Sequence, residues 1–243
     1  MNQTNNFSAR ESFAIAKQLL FDSFFPNFLA ANKGDVMAAT QATQKYVDQL
    51  KLSQNSIRME VELNTTNSIF TFAPTVQQQN STNFLFNTEL RLDQQDTLVA
   101  SNYRIYVAKP GSRTDTEYPV CTYGNTQVFT AAAAAAIDNC FYANGVFQLR
   151  CNNDVIIPGR LMINHLYRPQ TQQTAALGAG SPGDQFRGAE DAIITQEPNL
   201  LVIGPKKYVP QIVLPAALST VDEFTRAILI YDGVLAQNST VTS

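Results

Sequence analysis

From Ser56 onward, apolar and polar residues alternate in short runs, the period-two signature of half-buried β-strands. Ile57, Met59, Val61 and Leu63 alternate with Arg58, Glu60 and Glu62, and Tyr103, Ile105 and Val107 alternate with Arg104 and Tyr106. Further strand-like runs cover Ile69–Phe72, Phe84–Leu92, Leu98–Ala108, Val146–Arg150, Val155–Ile157 and Leu161–Tyr167. Leu200–Ile203, Gln211–Leu214 and Thr225–Leu235 complete the series. So many short strands bounded by Asn, Thr, Pro and Gly predict a mainly β chain, a jelly-roll sandwich or barrel.

Before Ser56 the period is helical. Residues 1–7 are polar, and Ser8 with Glu11 forms a capping box at the start of a helix. Phe13, Ala16, Leu20 and Phe24 then recur on one stripe, and Pro26 is expected to stop that helix. Gly34 separates it from a second helix starting near Asp35, with Val36, Ala39, Thr43, Tyr46, Val47 and Leu50 along one side. The division is therefore a polar arm and helices over 1–55 and the β region over 56–243. The six alanines before Ile137 predict a crossover helix within 130–142. Phe13, Leu20, Phe21, Phe24, Phe25 and Phe28 exceed what two short helices cover, so they need the barrel's flank, a neighbouring subunit or a lipid layer. The Gln-, Gly- and Pro-rich stretch 169–188 is expected to be a long, partner-contacting loop.

Charge is scarce: 17 basic and 20 acidic residues give a net −3, while Asn and Gln together number about 40. Amides hydrogen-bond without the desolvation cost of ions, which suits surfaces that end against other protein. The basic residues form no run, which argues against specific nucleic-acid binding. No apolar stretch approaches the roughly 20 residues of a membrane helix. The N-terminus lacks the basic start and apolar core of a signal peptide, so synthesis in the cytoplasm is expected.

No residue set declares a chemistry, and no catalytic, cofactor or metal residues are assigned. Cys121, Cys140 and Cys151 make neither a disulfide framework nor a zinc knuckle. The only histidine, His165, falls in a strand-like run, sharing a face with Leu161, Ile163 and Tyr167; packing explains it better than a pairing with Cys151. Glu60 and Glu62 share the face of their strand that is ordinarily solvated. Asp93 with Asp96, and Asp222 with Glu223, sit where turns favour acids, and an interfacial cation is the functional alternative. Gly178–Gly183 matches G-x-G-x-x-G but follows no strand and opens no helix, so it is read as loop. The sequons at Asn64, Asn80 and Asn238 are expected by chance in such a chain.

Four segments carry a resemblance: Asp154–Pro158 leading to Tyr167–Gln172, Asn199–Ile203, Gln211–Leu218 and Arg226–Asn238. Together they resemble the major capsid proteins of small, non-tailed, membrane-containing phages of Bacteroidota hosts. The likeness spans residues 56–243 and rests on no invariant signature. It implies a non-enzymatic bacteriophage shell subunit, assembling as homotrimeric capsomers with other virion proteins and an internal lipid layer as neighbours. The departure is in length, because about 190 residues are tight for two eight-stranded barrels at about 10 residues per strand and turn. One elaborated jelly roll or two minimal ones are both open. The alternative function is a phage spike or carbohydrate-binding β-sandwich, which the absence of tryptophan disfavours.

Overall fold

A computed structural model describes residues 9–72, 92, 95–112, 115, 118–151, 154–166, 193–204, 206 and 208–239. The expected arm over 1–7, the Ser8 cap, most of the run Phe84–Leu92, Asp93, Asn80 and the Pro169–Gly188 loop lie outside them.

The N-terminal helices form as the apolar stripes require, with one correction. Helix α1 spans Ala9–Ala31 and runs through Pro26 instead of stopping there. Phe24 and Phe28, on either side of the proline, both pack on Tyr46 of the next helix, with ring centroids 5.2 and 5.6 Å away. That packing outweighs the single backbone bond a proline removes. Lys33 and Gly34, at φ 55° and 87°, reverse the chain. Asp35 then caps α2 (Val36–Gln49) by accepting the N–H groups of Met37 and Ala38.

Among the described residues nine strands follow: β1 (Lys51–Glu62), β2 (Ile69–Thr71), β3 (Thr97–Ala108), β4 (Val120–Cys121), β5 (Val146–Cys151), β6 (Asp154–Leu161), β7 (Ile194–Ile203), β8 (Tyr208–Val213) and β9 (Arg226–Gln237). All pairings are antiparallel. One sheet runs β1-β9-β3, with β7 and β4 both pairing to β3; the other runs β2-β8-β5-β6. The chain is thus mainly β with an N-terminal helical segment. Between β4 and β5, α3 (Ala131–Ala136) continues into a π-helical turn over Ile137–Tyr142.

The strand boundaries correct the sequence reading twice. β1 begins at Lys51, five residues before any alternation, because β9 offers a ladder that pairs Lys51 with Gln237 and Asn55 with Gly233. Of the run Leu161–Tyr167, Leu161 ends β6 and Met162–His165 is a 3-10 turn instead of strand, while Tyr167 lies outside the described residues. The turn's three-residue period buries Met162 and His165 together and leaves Leu161 and Ile163 58% and 46% exposed.

The two sheets face each other across one core, to which Ile57, Met59, Tyr103, Ile105, Leu229 and Tyr231 contribute from the first and Phe70, Phe147, Leu149 and Ile212 from the second. A smaller cluster lies on the opposite face of the first sheet. There Ala16, Leu20, Phe24 and Val47 of the helices meet Val99, Val234 and Ala236. The surface covering the helical aromatics is therefore the flank of this chain's own sandwich.

Candidate functional site

The densest polar group sits on the outer face of the first sheet, where the segment after β3 crosses back over it. Glu60 and Arg226 are buried and paired at 3.1 Å. Arg58 Nη2 reaches the other Glu60 oxygen at 2.6 Å, and Tyr118 donates its hydroxyl to that same oxygen. Both guanidinium groups lie 5.3 Å from the centre of the Tyr118 ring. Burial, and then the bond to Glu60, push the Tyr118 phenol up to about 12. Tyr118 also covers Tyr106, Ala108 and Ile228. The reading of Glu60 as solvated is thus wrong: Glu60 is 7% exposed, because a covering segment converts an outward face into an interior one. The alternation around Arg58 and Glu60 carried no trace of that cover, whose Tyr118 is distant in sequence.

Asp222 is not an isolated turn acid. Thr130, the N-cap of α3, donates to it through backbone and hydroxyl at 2.7 Å each, and Lys109 bridges to it at 3.1 Å. Burial works to raise its carboxyl, but those bonds outweigh it and hold it below the usual range. Asp96 accepts the N–H of Asn238, and Asn64 closes a turn on Thr66 and Asn67. These contacts tie loops to the frame.

His165 is fully buried, its ring 5.2 Å from that of Tyr103. Cys151 ends β5 and lines a cleft with Tyr208. All three cysteines are free thiols, and burial pushes the Cys121 thiol up to about 11. Among the described residues no three His, Cys, Asp or Glu side chains gather as metal ligands, and no helix is long and apolar enough to cross a membrane. The Gly178–Gly183 motif lies outside the described residues.

Among the described residues, several large apolar side chains are exposed on and just after β6. Val155 and Ile156 of β6, with Leu161 and Ile163 at its end, are 47%, 42%, 58% and 46% exposed. β6 is an edge of the second sheet, but Pro158 and Gly159, the latter at φ 127°, interrupt it, and its register with β5 slips twice. Such an edge is a poor template for strand addition, so a partner here would meet side chains. The sequence placed Leu161 and Ile163 on a strand with His165, which hid their exposure. Comparison with protein-family models, with curated proteins and with solved structures finds no match to this chain.

Proposed function

We propose that the chain is the self-assembling shell subunit of a bacteriophage, built on a single jelly roll. The observation that carries this reading is the order of strand pairing. Leaving aside the two-residue β4, the first strand pairs with the last, β1 with β9; then β2 pairs with β8, β3 with β7 and β5 with β6. A long antiparallel hairpin rolled on itself gives this nesting, with successive pairs falling alternately in the two sheets. Eight strands of one sandwich around one core favour one jelly roll over two.

Two features favour a shell role over the other uses of that architecture. Little charge and many amides leave a surface that desolvates cheaply. The exposed apolar side chains Val155, Ile156, Leu161 and Ile163, on and just after β6, give a second copy something to pack on. On this reading the rigid sandwich forms the wall of a trimeric capsomer, and side-chain contacts beside β6 join copies in the virion.

The test is the mass of purified protein from micromolar to near-millimolar concentration, with negative-stain imaging of any large species. Trimers or closed particles are expected, and Leu161→Asp with Ile163→Asp should shift the population to monomer. A monomer throughout the range would overturn the proposal.

A further inference from the structure

The register of the second sheet brings four apolar residues into one row. Ile69 of β2 lies opposite Val213 of β8, Val213 opposite Val146 of β5, and Val146 opposite Leu161 of β6. Residues directly opposite on antiparallel strands point to the same face, and successive residues point to opposite faces. Phe70, Ile212 and Phe147, one step along, enter the core, so the apolar row points outward. The next outward row is polar and uncharged: Gln148 donates to Gln211 at 3.0 Å, and Gln211 donates to Thr71 at 3.1 Å. Beyond it Val209 lies opposite Arg150, and Arg150 opposite Val155. A sheet face turned to water ordinarily carries polar side chains, so an apolar row across all four strands calls for a cover. The first sheet has its cover in α1 and α2. On the second, Ile69 and Leu161, at the two ends of the row, are 51% and 58% exposed.

We propose that this face docks on the same face of a second copy about a two-fold axis lying between them. The inference rests on the self-assembly reading and names the surface that carries it. A contact between identical faces must be self-complementary. Here the outer rows are mostly apolar, and glutamine amides carry both donors and acceptors, so each can satisfy its own copy. The amide row is the middle one, so it faces itself whether the axis runs along the strands or across them. One charge in the three rows, Arg150, is too little for a nucleic-acid backbone or an anionic membrane. Four strands about 4.8 Å apart, each of about five residues at about 3.3 Å, make a face of roughly 19 by 17 Å. That is less than the about 800 Å² per partner of a stable pair, so the contact is weak and shows at high concentration.

Sedimentation of the full chain from micromolar to near-millimolar concentration tests it. Gln211→Glu and Gln211→Lys should each weaken association at least tenfold by placing like charges in facing rows, and an equimolar mixture of the two should restore it. Should either variant fail to fold, Ile69→Glu, at an exposed position, is expected to weaken association by the same factor. Met37→Glu, at a 75% exposed site on α2, should leave it unchanged. A monomer at every concentration overturns this contact and the shell reading together. Association that survives Gln211→Glu, a mixture that stays dissociated, or equal weakening in Met37→Glu overturns this contact alone. Binding of the unaltered chain to phosphatidylcholine vesicles, lost in Ile69→Glu, would give the face to lipid and likewise overturn it.

Discussion

Arg226 and Glu60 form an ion pair from which water is almost wholly excluded, their side chains 1% and 0% exposed. They sit on neighbouring strands but not opposite each other, for Glu60 faces Ile228 and Arg226 faces Glu62, so the pair runs diagonally across the outer face of the first sheet. Breaking such a pair leaves a desolvated charge behind. Glu60→Ala is therefore expected to lower stability by about 3–5 kcal/mol in urea melts. Asp232, whose pair with Arg104 is 21% and 29% exposed, provides the contrast: Asp232→Asn should cost about 1 kcal/mol or less. Equal losses in the two variants would show that the cover over Glu60 does not exclude water.

Alkaline pH should weaken the same network. The Tyr118 phenol is raised from 10.0 to about 12 in the folded chain, first by burial and then by its bond to Glu60. Between those values the folded state holds a proton that the unfolded state has released, so stability falls as pH rises. The contribution is complete below pH 10 and is lost on approaching pH 12. Tyr208, also raised to about 12, adds a loss of the same sign. Urea midpoints from pH 9 to 12 should thus fall less steeply in Tyr118→Phe than in the unaltered chain, although that variant starts from a lower value.

Removing residues 1–50 should cost the chain its solubility as a folded species. The helices bury Val99, Val234 and Ala236 on the outer face of the central strands, and Tyr46 donates to the carbonyl of Ser239. Losing the burial of Leu20, Phe24 and Val47 costs about 1.5–3 kcal/mol each and bares an apolar sheet face. Aggregation or loss of cooperative melting is expected. A soluble, cooperatively folded truncation would mean that the hairpin is an accessory to the sandwich.

Two glycines should lose stability to different degrees and for different reasons. A Cβ at Gly233 would lie 2.0 Å from the carbonyl oxygen of Val99, beside the irregularity between Ala100 and Asn102 in β3. Gly233→Ala should cost about 1–3 kcal/mol or more, because backbone cannot move aside as a side chain can. Gly34, at φ 87°, has nothing within 4 Å of a built Cβ. Gly34→Asn should cost a few tenths of a kcal/mol to about 1, since asparagine tolerates that conformation. Thermal melts of the two variants separate steric from conformational cost.

The sequence by itself determined the local elements whose periods are strong. The helical stripe around Leu20 and Val47, the Gly34–Asp35 junction and the alternation in β1, β3 and β5 all follow from spacing that one element alone satisfies. Tertiary structure decided the rest. Pro26 stays helical because Phe24 and Phe28 share Tyr46, and Lys51–Asn55 is strand because β9 offers it a ladder. His165 leaves the expected strand for a turn that buries it on Tyr103. Glu60 becomes interior because Tyr118, 58 residues away, lies over it. The cleft is of the same kind, since Arg160, Leu200 and Tyr208 come from separate strands. Period and propensity are properties of neighbours along the chain, whereas burial and pairing depend on residues far apart in it, and only the folded chain fixes which of those meet.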